Sequence, residues 1–291
     1  MIIVIKINMN EFPSFLKMEL GIYVEIFVKW LATNFGSFFD AIGDGILWFL
    51  MKVDGVLQFI PWWLVLIAVF FIGWRIKSIS TGAIFAFMLF WVGSFGLWAL
   101  MMNTLAVVLV SVFISLILGI PIGIIMAYGS RAEMIIEPIL DAMQTMPTFV
   151  YLIPAIMLFD LGWVPAVFAT TIYAIAPVIR LTNLGIRNVS TEMVEASHSF
   201  GATSWQTLLK VEIPQALPTI MTGVNQTTMM AMSMVVTASM IGARGLGREV
   251  FQAINRIDIA RGTEGGLAIV IMAIIIDRIT QGVADKFKIK E

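Results

Sequence analysis

The sequence predicts an all-α integral membrane protein. Hydrophobic residues make up 59% of its 291 residues and charged residues only 13%, whereas about 25% of residues are charged in soluble domains. Apolar stretches long enough for membrane-spanning helices recur along the chain, separated by short segments that hold most of the charges. A helix satisfies its backbone hydrogen bonds within itself, so these stretches are expected to be helical spans.

Composition excludes several classes of function. The formal net charge is −1 at pH 7, which argues against binding to nucleic acid. The chain has no cysteine and one histidine, His198, so disulfides, thiolate chemistry and a histidine-pair metal site are excluded. No serine–histidine–aspartate set, carboxylate pair or metal-ligand pattern stands out. We therefore expect a chain that is not itself an enzyme and that holds no cofactor.

Residues 1–58 are expected to form an amphipathic segment that precedes the spans. Residues 1–10 have the wrong length and flanks for a cleaved secretory signal and are expected to remain on the chain. Over residues 21–54 the apolar side chains share one arc of a helix, while Glu25 and Lys29 form an i,i+4 pair that points away. So many charges favour a helix that lies along the bilayer surface, and a first span with tolerated charges is the alternative.

Two spans are expected in residues 59–102. The first opens at Pro61, and tryptophans mark both of its interfacial levels. The second covers residues 79–102 and returns across the membrane. The connection at Asn103 is so tight that the span that follows is expected to be an antiparallel neighbour.

Three more spans are expected at residues 104–128, 145–161 and 163–185. Each of them contains proline, a feature that membrane helices tolerate where neighbours satisfy the freed backbone groups. Gly119, Pro121 and Gly123 are expected to interrupt the first span, Pro147 and Pro154 to kink the second, and Pro177 to kink the third. A polar face lies before the second, formed by Arg131, Glu133, Glu137 and Asp141.

Two final spans are expected at residues 215–241 and 267–283, which makes seven in all. The first of them has polar residues in the middle of an apolar helix, and the candidates for a translocation path are Thr222, Asn225, Gln226 and Met230. Polar side chains inside a membrane either hold helices together or face a water-filled path. The sequence leaves both roles open.

The loop between these two spans, residues 242–266, contains a short amphipathic helix at about 248–255. Its apolar side carries Val250, Phe251 and Ile254. The string GARGLG at the start of the loop lacks the preceding strand and the Lys-Ser/Thr ending of a phosphate loop, so no nucleotide site is expected there. Near the polar end of the last span, Asp277 and Arg278 are expected to snorkel or to pair locally, and a basic tail follows at 286–291.

The polar stretch at residues 191–218 is the longest interruption between apolar segments, and two short helices are expected in it. Thr191 is expected to cap the first helix, and Gly201 to end it. Thr203 and Gln206 form a capping box for the second.

That second helix is expected to run from 204 to about 211, where Pro214 stops it. Around the bend between the two helices only small side chains occur, namely those of Ala196, Ser197, Gly201 and Ala202. Small residues allow close approach of another backbone. The stretch is therefore expected to be a docking knob for another protein.

Basic residues favour a cytoplasmic position for this knob, because positive charges concentrate in cytoplasmic loops. With the knob inside, the following residues lie on its side: Arg75, Lys77, Arg131, Arg180, Arg187, Lys210 and the lysines of the tail. The N-terminus is then outside and the C-terminus inside. Four arginines between 244 and 261 lie on the outer side against this tendency.

Within the polar stretch, Glu195-Ala196-Ser197 is followed after three residues by Gly201 and after nine more by Val211-Glu212-Ile213-Pro214. This spacing resembles the EAA-type signature of permease subunits in ATP-binding-cassette importers, with Ser197 in place of the second alanine. In that family the loop is cytoplasmic and its helix sits in a cleft of the ATPase subunit. The resemblance implies a coupling loop at 188–214 and an ATPase-coupling role for Glu195, Ala196, Ser197, Gly201 and Pro214.

The chain from about residue 20 to 285 is similar to permeases for glycine betaine and proline, most clearly from 225 to 281. This resemblance implies the type I importer fold, with a core at 103–285 after the accessory spans at 59–102. It implies a homodimer, because one coupling loop is present for two ATPases. The localisation that it implies is the plasma membrane of a prokaryotic cell.

The same resemblance implies two kinds of partner and a substrate class. A cytoplasmic ABC ATPase would hold ATP and magnesium, and an extracytoplasmic binding protein would select the solute with a cage of aromatic rings. The solute would be glycine betaine, a related quaternary ammonium compound or proline. The helix with Val250, Phe251 and Ile254 would then meet the binding protein and close an outer gate, unless it only lies on the membrane surface. The alternatives are a permease for choline or carnitine, a secondary transporter and a membrane scaffold.

Overall fold

The structure, a computed structural model, describes residues 19–286, and its regular elements in that range are all helices, which confirms the all-α class. Expectations for residues 1–18 and 287–291, including the retained N-terminus and the tail lysines Lys288 and Lys290, lie outside the described residues. In chain order the α-helices are α1 (Leu20–Asn34), α2 (Gly36–Phe59), α3 (Trp62–Ile76), α4 (Ile79–Ser94), α5 (Trp98–Tyr128), α6 (Ser130–Thr145), α7 (Thr148–Phe159), α8 (Trp163–Arg187), α9 (Thr191–Ser199), α10 (Ser204–Thr207), α11 (Ile213–Ala238), α12 (Leu246–Arg256) and α13 (Ile259–Asp285).

Three of the described helices, α5, α8 and α13, are long and apolar enough to cross a membrane alone. Three further pairs of helices meet that test together but are sharply bent, by 94° between α2 and α3 and by 103° between α6 and α7. Counting each pair as one span gives up to six. The number seven therefore stays a prediction.

Helices α5, α8 and α11 form the centre of the molecule. A Cβ atom added at Gly123 of α5 would lie 2.6 Å from the carbonyl oxygen of Ile179 in α8, and one at Gly223 of α11 would lie 3.0 Å from the Cβ of Leu181. Small residues allow such close approach between membrane helices. The interruption predicted at Gly119, Pro121 and Gly123 is wrong, because α5 is continuous through them.

The predicted turn at Asn103 is also wrong. The chain turns instead between Ser94 and Trp98, where Gly96 adopts a left-handed φ of 73°. Asn103 lies inside α5, and its side-chain oxygen accepts a hydrogen bond of 2.8 Å from Gln58 of α2. An asparagine whose polar group is satisfied by a neighbouring helix does not need to sit in a turn.

The span predicted at 145–161 is observed as a shorter helix, α7, which follows α6. Helix α7 has only 12 residues, too few to cross a bilayer alone. It meets α6 at the sharp bend beside Pro147, where Met146 is extended with a ψ of 133°. A proline disfavours helical backbone in the residue before it, so the helix ends there instead of bending slightly.

The N-terminal segment forms two helices. The predicted ion pair is confirmed, with Glu25 and Lys29 joined at 2.5 Å on α1. Helix α2 packs on the core through Leu50, which is fully buried beside Val107 and Val110 of α5. The position of these helices relative to a bilayer stays a prediction.

Candidate coupling site

The polar stretch projects from the core as helix α9 followed by helix α10. Ser190, not Thr191 as predicted, caps α9, because its hydroxyl accepts a hydrogen bond of 3.3 Å from the Met193 N–H. Serine before an acidic first turn is as good a cap as threonine, and the sequence offers both. No residue of α9 is buried. The helix is therefore open to contact with another protein.

Gly201 ends the first helix, as predicted. Its φ of 81° is left-handed, and its N–H donates to the His198 carbonyl at 2.9 Å, which is a common helix ending. Space is open where a Cβ would lie. The glycine is thus required by the backbone conformation and not by crowding within this chain.

Two sets of hydrogen bonds fix the angle between the two short helices. Ser197 and Thr207 share a hydroxyl–hydroxyl bond of 2.6 Å across the bend. The predicted capping box is confirmed, with the Thr203 N–H bonded to the Gln206 side chain at 2.9 Å and the Gln206 N–H to the Thr203 hydroxyl at 3.3 Å. Ser197 stands where the family signature has alanine, and here its hydroxyl joins α9 to α10.

Pro214 does not stop a helix, which corrects the prediction. The chain passes from α10 through a π-helical turn, Leu208–Glu212, directly into α11. A proline ring clashes with the carbonyl four residues before it. The wider π turn lies at that position and lets the helix continue past Pro214.

The π turn is joined to the membrane part of the fold by a buried polar contact. Glu212 is 6% exposed, and its carboxylate accepts a hydrogen bond from the Tyr128 hydroxyl at the end of α5. A buried carboxylate without such a donor is costly. The sequence analysis did not identify this pair, although a glutamate between Val211 and Ile213 is an acid in an apolar context.

An aromatic side chain lies at the tip of the bend. Phe200 is 93% exposed, and Met193 of α9, Trp205 of α10 and Leu209 of the π turn are exposed as well. The expectation that only small side chains surround the bend is therefore incomplete. Exposed aromatic residues on a polar projection are typical anchors of protein–protein interfaces. Glu195 is exposed nearby and forms none of the ion pairs found within residues 19–286.

A polar cavity of about 440 Å³ lies between α6, α8 and α11. Its wall contains an ion pair of 2.7 Å between Glu133 and Arg187. Asn183 donates to Glu133 at 3.0 Å, and Arg187 also donates to the Met126 carbonyl at 3.0 Å. Gln226 lines the same cavity.

The candidate path residues occupy different surroundings. Gln226 lies at the cavity, and Thr222, one turn away, is exposed on the same helix. Asn225 faces α13 instead, where its amide donates to Asp277 at 3.1 Å and its oxygen accepts from Thr280. Met230 packs against the main apolar core. Of the four candidates, only Gln226 lines the cavity; Thr222 and Met230 lie one turn before and one turn after it on α11.

Helix α12 and the turn before it pack near the start of α5, whereas the knob joins the other end of α5. Val250 and Phe251 are half-buried, while Ile254 is exposed. Glu249 is buried and bonds Arg261 of α13 at 2.5 Å. Gly245 of the GARGLG string packs on Thr104, whose hydroxyl accepts from the Leu246 N–H at 2.8 Å. The glycine serves close packing, since an added Cβ would lie 2.4 Å from that hydroxyl.

The central and C-terminal parts of the chain match a known protein family. Residues 119–288 match the family described as binding-protein-dependent transport system inner membrane component. The match includes α8, the polar stretch, α11 and α12. It therefore covers both the candidate coupling site and the polar cavity.

Curated relatives match along most of the chain. The glycine betaine transport system permease protein OpuAB of Bacillus subtilis is 44% identical over 274 residues, covering 94% of this chain and 96% of that protein. The glycine betaine/proline betaine permease ProW of Escherichia coli is 45% identical over 256 residues, covering 88% and 72%. The glycine betaine/carnitine permease GbuB of Listeria monocytogenes is 44% identical over 282 residues, covering 95% and 99%.

A solved structure shares the fold. An inward-facing structure of the MetNI methionine ABC transporter matches with a TM-score of 0.59 at 21% identity, covering 65% of this chain and 94% of the matched chain. The helices therefore have the arrangement of a type I importer permease, as the resemblance implied.

The Tyr128–Glu212 contact makes a prediction about stability. Replacing Tyr128 with Phe removes the donor and leaves the Glu212 carboxylate buried without it, which we expect to cost about 1–3 kcal/mol. Thermal unfolding of the purified protein measures the loss, and Tyr23→Phe is the control because Tyr23 is exposed. Equal unfolding temperatures for the two variants would show that the contact does not hold the π turn.

Proposed function

Because the chain belongs to the family of inner membrane components of binding-protein-dependent transport systems, we propose that it imports glycine betaine or a related quaternary ammonium compound. The observation that carries this proposal is the 44–45% identity to three glycine betaine permeases along most of the chain. The chain is the permease subunit and not an enzyme. ATP hydrolysis belongs to a separate ATPase subunit.

Several finer features belong to this proposal. The permease is a homodimer, so that two coupling sites face two ATPases, and these ATPases hold the ATP and magnesium. A binding protein outside the cell delivers the solute. The nearest alternative is that the solute is carnitine, choline or proline. One relative is named a glycine betaine/carnitine permease, which supports carnitine among these alternatives. A secondary transporter and a membrane scaffold are less favoured, because the family works with a binding protein.

We propose that the exposed knob seats the ATPase. Glu195, Ala196 and Ser197 lie on α9, Gly201 sets the bend, and Pro214 lies at the entry to α11. Phe200 adds an aromatic anchor at the tip. Supporting this role, the knob continues through the π turn into α11, so a displacement at the knob reaches the membrane part of the fold directly.

We also propose a route for the solute past α11. Thr222 and Gln226 would line it, while Asn225 fixes α11 against α13 and Met230 packs behind them. On the outer side, Val250, Phe251 and Ile254 of α12 would contact the binding protein and help close the gate. The exposed apolar tip at Ile254 supports such a contact.

The transport function predicts ATP-dependent uptake by a reconstituted complex. Proteoliposomes that contain the chain and its ATPase should accumulate glycine betaine only when the binding protein is present on the opposite side from ATP. The permease alone should give no binding heat with glycine betaine in calorimetry, because the aromatic cage lies in the binding protein. Micromolar binding to the permease that Asn225→Ala or Gln226→Ala abolishes would instead place a solute site within the helices.

The coupling proposal predicts loss of the ATPase from the complex. Phe200→Ala should weaken co-purification of the ATPase by at least about tenfold, since truncating an interface anchor costs about 2 kcal/mol or more. Phe59→Ala is the matched control, because Phe59 is 87% exposed at the end of α2, away from the knob. Glu195→Arg should leave membrane insertion intact and abolish solute-stimulated ATP hydrolysis. Unchanged assembly and hydrolysis in both coupling variants would contradict the proposal.

The orientation, with the N-terminus outside and the C-terminus in the cytoplasm, predicts a labelling pattern. The chain has no cysteine, so Ser204→Cys and Ile257→Cys each introduce one exposed thiol. An impermeant maleimide should label Ile257→Cys in intact cells and Ser204→Cys only in inverted vesicles. The reverse pattern would invert the topology.

A further inference from the structure

A groove of about 850 Å³ separates the hairpin of α3 and α4 from the C-terminal end of α13. Helix α3 touches α13 at Gly282, which has no side chain. A Cβ added there would lie 2.0 Å from a methyl carbon of Ile76. This contact brings Lys77, at the end of α3, next to the last turns of α13. The groove lies apart from the knob and from the polar cavity.

The polar end of the groove is positively charged. Three cations line it, Lys77, Arg278 and Lys286, together with one carboxylate, Asp285. Three positive charges and one negative charge leave a net charge of about +2 at neutral pH. Among residues 19–286 the ion pairs do not include any of these three cations. Arg278 donates one N–H to Gln281 at 3.2 Å, and a guanidinium has further donors.

The other end of the groove is apolar. Its walls are formed by Ile84, Phe85 and Met88 of α4 and by Ile274 of α13. Ile84 is 56% exposed and Ile274 is 41% exposed, so both present open hydrocarbon surface. Ile274 lies about one helical turn before Arg278, about 6 Å along the axis. Charge at one end and hydrocarbon along the length match an amphiphile that carries an anionic head.

We propose that this groove is a binding site for an anionic phospholipid. The headgroup phosphate lies among Lys77, Arg278 and Lys286, and an acyl chain follows Ile84, Met88 and Ile274 toward the bilayer centre. Basic pockets between membrane helices on the cytoplasmic side suit anionic headgroups. In the orientation proposed above this end of α13 is cytoplasmic, so the inner leaflet supplies the lipid. A free phosphate ion has the same charge but gains nothing from the apolar walls.

The proposal assigns the lipid a structural task. The hairpin of α3 and α4 packs on α13 through the main apolar core, where Phe85 and Leu89 lie with Ile271 and Ile275. It meets α13 again at Gly282, and the bound headgroup would join cations from both sides of that second contact. The lipid would therefore hold the accessory hairpin against the core. This task is separate from the choice of solute and from coupling to the ATPase.

The test is a lipid titration of the purified full chain in detergent, followed by native mass spectrometry. Phosphatidylglycerol and phosphatidylcholine with identical acyl chains are compared. We expect preferential retention of phosphatidylglycerol by the native chain. The double variant Lys77→Gln and Arg278→Gln should lower that affinity about thirtyfold, because each basic residue near an anionic headgroup contributes about 1 kcal/mol, a factor of about five.

Controls distinguish an effect of charge on lipid binding from an effect on folding. Arg131→Gln removes an exposed cation of α6 outside the groove and should leave phosphatidylglycerol binding unchanged. Phosphatidylcholine binding should be the same in all variants. Thermal unfolding in lipid-free detergent should also be unchanged in the double variant, which shows that lost binding is not lost folding.

A further arm distinguishes a lipid from a free anion. Ile274→Trp fills the apolar wall without changing charge, and it should weaken phosphatidylglycerol binding while inorganic phosphate at millimolar concentration fails to displace the lipid. Equal binding of the two lipids, an unaffected double variant, or displacement by inorganic phosphate would each overturn the proposal. The uptake experiment does not depend on this groove, so failure here leaves the transport proposal standing.

Discussion

The close contact between α5, α8 and α11 is the constraint on which the remaining structure depends. Inside a bilayer, apolar side chains gain little from leaving lipid, so helices associate through tight packing and interhelical hydrogen bonds. Gly123 and Gly223 bring α5 and α11 against α8, and Asn225 ties α11 to α13 through Asp277. The knob, the π turn and the polar cavity all extend from this group of helices.

Local signals in the sequence predicted the features that depend on neighbouring residues alone. The capping box at Thr203 and Gln206 and the left-handed turn at Gly201 are formed by atoms a few residues apart. The span at 163–185 was also close to the observed α8, since its apolar pattern is long and regular. In these places the local chemistry permits only one arrangement.

Other features depended on contacts that no local pattern contains. Pro214 permits either a helix end or a π turn, and the burial of Glu212 against Tyr128 accompanies the second. Asparagine is common in turns, but Asn103 lies inside α5, where Gln58 of α2 donates a hydrogen bond to its side-chain oxygen. Asn225 and Gln226 are neighbours about 100° apart around α11, so one meets α13 and the other meets the cavity. The sequence identifies both as polar residues within a span, but it does not show which one faces α13 and which one faces the cavity.

The chain passes from the knob into α11 without a break, so the knob and α11 are mechanically connected. The 26 residues of α11 form a rod about 39 Å long, with its irregular turn at the base beside the knob. If that turn is the pivot, a tilt of about 5° moves the far end by about 3 Å at this length. The far end is not free, because the Gly162 N–H at the start of α8 donates to the Ile241 carbonyl at 2.9 Å. A displacement at the knob end of α11 would therefore move the start of α8 together with the turn after α11, because this hydrogen bond joins the two.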